Sequence, residues 1–153
     1  FDFVKSDIFI ANYTLQFIRP PQRQALVRKI YENLNEKGFF IMSEKILYED
    51  ALLAKNIIEI YADFKHEQGY TRLEIAKKRE TLENVLVPYS EKENLAMLEN
   101  AGFTKVQSFF KWANFESFIA FKWWTFAALL WIVNFYDFAV KFSDFVMKDY
   151  NFL

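Results

Sequence analysis

Three consecutive cations, Lys77, Lys78 and Arg79, stand in the stretch EIAKKRETLENVLVP (74–88). A guanidinium carries a planar fork of donors that fits a carboxylate bidentately and keeps its charge at any working pH, so Arg79 is a candidate for holding an anion. Charge alone favours a plainer reading, because a basic run on a helix is usually a solvated face. Asn12 closes the apolar run DIFIAN and falls where a strand should end, the edge at which open α/β sheets bind ligands. Taken by itself, it reads as a polar residue bonding local backbone. Glu44 and Lys45 of SEK (43–45) follow a second apolar run at the equivalent edge, and a structural role is expected for the carboxylate. His66 is the sole histidine and has no second histidine or matching carboxylate beside it, which makes it a poor metal ligand or general base. It is expected on the surface, and Asp63 is expected to pair locally. Tyr70 is placed equally well against a pocket, a subunit contact or the core. No catalytic residue and no metal site is assigned.

The residues that must position these groups alternate between strand and helix patterns. Residues 7–17 (DIFIANYTLQF) read as a buried, parallel-type strand ending near Asn12. Residues 19–38 read as a helix opened by Pro20 and Pro21, with Ala25, Leu26, Ile30 and Leu34 as its apolar stripe and Asn35 to Gly38 as its stop. Residues 38–46 form the next buried strand, completing a strand–helix–strand unit. A helix over 49–69 turns Leu53, Ile57, Ile60, Tyr61 and Phe64 inward. Thr71 and Glu74 have capping-box spacing and open the short helix that carries the three cations; Ser90 and Glu93 repeat it before a helix with Leu95, Leu98 and Ala101 inward and Gly102 at its end. Residues 104–113 and 115–122, rich in aromatic and β-branched side chains, read as an antiparallel hairpin turning near Asn114 and holding Trp112 in a core or subunit contact.

The chain of 153 residues has a formal net charge of −1. That length suffices for one domain with a core, and the charge argues against a broad nucleic-acid surface. With no cysteine there is no disulfide framework or thiolate chemistry, which fits a reducing cytoplasm. The composition includes 19 Phe and only 3 Gly. The first residues lack a leader pattern and read as the run-in to a strand, so a true N-terminus upstream is expected. Residues 123–136 are apolar almost without interruption, shorter than the roughly 20 residues that span a bilayer. The 123–153 segment is therefore expected to be helical, and an interfacial amphipathic helix, a marginal membrane contact and a core helix remain open for it.

Several stretches, NYTLQF, RQALVRKIYENLNEKG, SEKILYED, DFKHEQGYTRLEIAKKRETLENV and LENAGFTKVQSFFKWANFESFIAFK, together resemble the carboxy-S-adenosyl-L-methionine synthase family from about Asp7 to Lys122. The resemblance implies an α/β fold: the C-terminal half of a class I (Rossmann-like) S-adenosylmethionine-dependent methyltransferase domain over 1–122, ending in the antiparallel hairpin. The glycine-rich half that holds the methionine and ribose parts of the cofactor would lie upstream, and the apolar 123–153 extension falls outside the family pattern. By the same resemblance the activity converts S-adenosylmethionine and prephenate to carboxy-S-adenosyl-L-methionine and phenylpyruvate, for a partner enzyme that modifies the tRNA wobble uridine. Asn12 would contact the S-adenosylmethionine-type ligand, and Arg79 the carboxylate of the carboxymethyl group, with Lys77 and Lys78 left as solvated charges. A cytoplasmic homodimer without direct nucleic-acid contact is implied, inactive as this fragment alone. Two other readings stand beside it: a different S-adenosylmethionine-dependent methyltransferase, or a non-catalytic module associated with a membrane or a partner through 123–153.

Overall fold

The computed structural model describes residues 2–123. The expectations for a helical 123–153 segment and for its membrane contact lie, apart from Trp123, outside the described residues. Strand β1 (Ser6–Asn12) leads through a 3-10 turn (Leu15–Phe17) into α1 (Pro20–Asn33), and β2 (Leu34–Leu47) returns parallel to β1. Helices α2 (Ala51–Glu67) and α3 (Arg72–Leu82) follow, then the two-residue strand β3 (Tyr89–Ser90) and α4 (Glu91–Ala101). The hairpin β4 (Lys105–Trp112) and β5 (Phe115–Phe121) closes the described chain. Strand order is β1-β2-β5-β4, with β3 pairing to the end of β2. β5 runs antiparallel to both neighbours, and all its residues are buried.

Alternation along the strands divides the apolar residues between two faces. Ala11, Phe40, Met42, Phe118 and Ala120 pack with Val27 and Ile30 of α1 and Met97, Leu98 and Ala101 of α4. Burying the Phe, Met, Leu, Ile and Val side chains among them contributes about 1.5–3 kcal/mol each. The opposite face carries Phe39, Ile41, Phe115, Ile119 and Phe121, clustered with Tyr13 and flanked by Tyr61 and Trp112.

Helix ends follow their local chemistry. Both capping boxes form: Thr71 and Ser90 hydroxyls accept the N–H of Glu74 and Glu93, whose carboxylates reach back to the cap N–H at 2.8 and 2.7 Å. Gly102 ends α4 with φ at 114°, a left-handed cap that a side chain would strain.

Four expectations need correcting. α1 ends at Asn33, and the chain is already extended at Leu34, so Asn35 to Gly38 are strand, not stop. Leu34 is fully buried, and that burial draws the backbone into the sheet. Along α1 the buried positions are Arg23, Val27 and Ile30, and Ala25 is exposed. β1 is an edge strand with Ile8 and Ile10 exposed, because no described helix covers that end of its face. On α2, Leu53 and Ile60 also face outward; only Tyr61, Phe64 and their neighbours lean on the sheet, through Trp112 and Phe115.

Candidate functional site

The C-terminal edge of the parallel pair carries polar residues in one row: Asn12 lies opposite Ser43, and Ser43 opposite Ser117. The two serine hydroxyls are 2.8 Å apart and buried. Asn12 Oδ1 is buried and has no hydrogen-bond partner among the described residues. Leaving a buried acceptor unpaired costs about 1–3 kcal/mol, so the atom is not explained by folding alone. The next residue, Tyr13, has φ at 50°, a left-handed conformation uncommon outside glycine, and its N–H donates to Ser43 O at 2.7 Å. Backbone strain and an orphaned acceptor thus coincide where a ligand edge was expected.

Glu44 secures the turn behind this edge. Its two oxygens accept the N–H groups of Leu15 and Gln16 at 2.8 and 2.9 Å, and the side-chain oxygen of Gln16 in turn accepts the Lys45 N–H at 3.0 Å. Burial pushes the Glu44 carboxyl up to about 7 despite those two donors. The expected structural role of this carboxylate is what the contacts show.

Two residues beyond Asn12's row, on the same face, Lys45 extends over Phe115, with Nζ 5.3 Å from the ring centroid. Lys65 approaches from α2 and is 6 % exposed; its Nζ lies 5.0 Å from the Tyr61 centroid and 5.6 Å from that of Tyr70. Lys78 approaches from α3. Burial, then the charges of Lys65 and Lys78, bring Lys45 down to about 8; burial, then Lys78, brings Lys65 down to about 8. Lys78 is also lowered, by burial.

Lys78 departs from the expected solvated role, and the reason lies in α3. Ile75, Lys78 and Leu82, spaced three and four apart, are its half-buried positions, so Lys78 sits on the helix's one apolar stripe. Lys77 and Arg79 flank that stripe and are exposed. Arg79 makes no ion pair among the described residues, and no contact joins it to Asn12. The structure therefore groups Asn12 with the sheet edge and Arg79 with the outer surface of α3. His66 is exposed with Nδ1 3.0 Å from Tyr70 O, and Asp63 pairs with Arg72 at 2.6 Å, both as expected. Tyr70 is half-buried beside Lys65, which answers where it lies. The lysine cluster was not singled out from sequence; the spacing of Tyr61 and Lys65, one helical turn apart, was the available signal. A separate groove of about 670 Å³, lined by Tyr48, Ser90, Glu91 and Lys111 among others, includes none of Asn12, Arg79 or the three lysines.

No family model matches the chain. Curated relatives do. It is 72% identical over 122 residues to a carboxy-S-adenosyl-L-methionine synthase of Campylobacter jejuni, which covers 80% of this chain and 52% of the relative. Over that span the chain belongs to the carboxy-S-adenosyl-L-methionine synthase family. The synthase of Campylobacter lari is 61% identical over the same length, and that of Campylobacter fetus 58%. The chain spans about half the length of these synthases. Among solved structures, an O-methyltransferase family 2 protein from Planctomyces limnophilus in complex with apigenin superposes with a TM-score of 0.55 at 20% identity, covering 79% of this chain and 31% of that one. Human N-acetylserotonin methyltransferase in complex with S-adenosylmethionine gives 0.52 at 17%, covering 78% and 30%. The synthase-family span thus has the α/β fold of class I methyltransferases. Among the described residues no helix is long and apolar enough to cross a membrane.

Proposed function

We propose that this chain is the substrate-side half of a carboxy-S-adenosyl-L-methionine synthase, acting on S-adenosylmethionine and prephenate. The observation that carries the reading is the buried Oδ1 of Asn12, unpartnered among the described residues, at the ligand-binding edge of a sheet so similar in sequence to the Campylobacter synthases. An acceptor at that edge suits a ligand offering N–H or O–H donors, which S-adenosylmethionine has in its amine, ribose and adenine. Residues for the rest of that cofactor are not recognisable in the chain, so its 1–122 part is read as an incomplete domain with a separate 123–153 extension. Bound there, the cofactor would supply the sulfonium-linked methyl carbon that accepts the carboxyl group.

In the overall change, a carboxyl carbon leaves prephenate and becomes bonded to that methyl carbon, a methyl proton and the prephenate hydroxyl leave together as water, and phenylpyruvate is released. The chain's own part is to bind and orient. Asn12 accepts a hydrogen bond from the cofactor, and fixed cations hold the carboxylate that moves. Arg79 is assigned to that carboxylate from its KRETLEN context; from its exposed place on α3 it must be brought to the edge by closure of that helix or by a second copy of the chain. The latter fits a homodimer, and the product's onward use in tRNA modification would be by another enzyme in the cytoplasm.

The test joins this chain to the half of the Campylobacter jejuni synthase that it does not match. The chimera, given S-adenosylmethionine and prephenate, is expected to form carboxy-S-adenosyl-L-methionine, detected by mass, and Arg79→Ala to suppress that product while cofactor binding persists. A folded chimera that binds S-adenosylmethionine but yields only methyl transfer to other acceptors would support a general methyltransferase instead.

A further inference from the structure

The turn that follows Asn12 is held from three sides. Glu44 reaches it from β2 and accepts the Leu15 and Gln16 N–H groups on its two oxygens, at 2.8 and 2.9 Å. Arg23, buried on α1, donates to Ile18 O at 2.8 Å and to Val87 O at 2.7 Å. Val87 lies between α3 and β3, and its own N–H donates to Gln16 O at 2.9 Å. Residues 14–18 therefore join the chain leaving Asn12 to the chain leaving α3, the helix that carries Arg79. The roles given to Asn12 and Arg79 make no use of this junction. An ionised carboxylate accepts through both oxygens, whereas a protonated one presents an O–H on one side and weakens the bond there. The hold on the turn thus depends on the charge of Glu44.

From this geometry we infer that Glu44 is a positioning residue for the cofactor: through its two bonds to the Leu15–Phe17 turn, its charged form holds the Asn12 edge in the shape that binds S-adenosylmethionine. The inference rests on the proposed function for the choice of cofactor. Between Asn12 and the turn stand only Tyr13 and Thr14, and Tyr13 is held at φ 50°, a conformation that its surroundings must enforce. Loosening the turn lets Tyr13 relax and carries the Asn12 amide with it. A sulfonium bound at the edge also favours the ionised carboxylate, so both effects have one sign. Burial raises this carboxyl to about 7 against the pull of its backbone donors and of Arg23, so its charge changes within an ordinary assay range. Glu116 stands opposite Glu44 on β5 and pairs with Lys111 of β4 at 3.6 Å; Tyr89 of β3 and Glu93 of α4 act on Arg23.

The test uses the chimera with the Campylobacter jejuni half. Wild type and Glu44→Gln, which is neutral at every pH, should bind S-adenosylmethionine equally at pH 6, and the wild type about fivefold more tightly at pH 8. Comparing the two proteins cancels the titration of the cofactor's own amine. Glu116→Gln should keep the wild-type profile. A second measurement needs no variant. The Leu15 and Gln16 amide proton resonances should titrate with a midpoint of about 7, and saturating S-adenosylmethionine should lower that midpoint by about 0.7 of a pH unit, the same fivefold seen from the proton's side. A purely structural Glu44 predicts a less stable variant whose affinity relative to wild type does not change with pH. That result, amides that do not titrate, or a midpoint unmoved by the cofactor would overturn the inference. A chimera whose cofactor affinity follows Glu44 but which forms no carboxy-S-adenosyl-L-methionine sinks the synthase activity and leaves the inference. An active chimera whose affinity ignores Glu44 sinks the inference and leaves the activity. A folded chimera that binds no S-adenosylmethionine sinks both.

Discussion

Lys45 and Lys65 bracket the ring of Tyr61, with ammonium groups 5.8 and 5.0 Å from its centroid and no ion pair of their own among the described residues. The pair joins β2 to α2 by shared contact with an aromatic face rather than by opposite charge. Burial dominates the balance: both lysines drop to about 8, from an ordinary value near 10.5. Part of the docking of α2 is therefore bought against electrostatic cost, consistent with its exposed Leu53 and Ile60.

Those depressed values make stability depend on pH in a defined window. Between about 8 and 10.5 the unfolded chain holds lysine protons that the folded chain has released, so stability rises with pH. Below about 8 the full cost of the buried charges is present. Urea midpoints measured at pH 7.5 and 9.5 should increase for the wild type, and Lys65→Met should show a smaller increase. An equal increase in both proteins would remove Lys65 from the account.

Glu44 gives the opposite slope at lower pH. Its folded value of about 7 lies above the ordinary 4.5, so its stabilising contribution is complete below about 4.5 and declines as pH climbs to about 7. Glu44→Gln should flatten the stability profile over that interval. The variant also gives up one of the two backbone donors at Leu15 and Gln16, because an amide accepts through one oxygen only, at a cost of about 1–3 kcal/mol. A profile as steep as the wild type's would show that another group sets the slope.

The caps of α3 can be tested apart from its cations. No residue of α3 is fully buried, so its ends matter more than in a core helix. Thr71→Ala removes the hydroxyl that accepts the Glu74 N–H at 3.2 Å and should cost about 1 kcal/mol locally. Hydrogen exchange should quicken over α3 and remain unchanged in α4, whose box at Ser90 and Glu93 is intact. Exchange that quickened equally in both helices would mean that the loss is global.

Capping boxes, strands and the closing hairpin were legible because each depends on residues a few positions apart. Thr71 and Glu74, Ser90 and Glu93, and the turn at Ala113 and Asn114 all fell where spacing placed them. The end of α1 was misread because Asn35 to Gly38 look like a stop, whereas the burial of Leu34 against distant residues settles the boundary at Asn33. Gly38 has its own reason: a Cβ there would stand 2.8 Å from Asp7 O, so it admits the close approach of β1 and β2. The lysine cluster could not be read as a unit, since Lys45, Lys65 and Lys78 meet only through tertiary packing. Even so, Lys78 between Ile75 and Leu82 had the spacing of an inward residue, a local sign that the repeated charge of KKR concealed.

Asn12 offers the sharpest separation of folding from binding. If its buried Oδ1 is held unpaired for a ligand, replacing the amide by an apolar group of similar shape removes an unsatisfied acceptor and costs the fold nothing. Asn12→Leu in this chain is therefore expected to match or exceed wild-type stability, by up to about 1 kcal/mol in urea unfolding. In the chimera the same change should weaken S-adenosylmethionine binding about tenfold, the loss of one hydrogen bond to the cofactor. A purely structural asparagine predicts the reverse pairing, a less stable chain with cofactor affinity retained. Measuring both quantities on the one variant decides between a ligand contact and a strand end that bonds its own backbone.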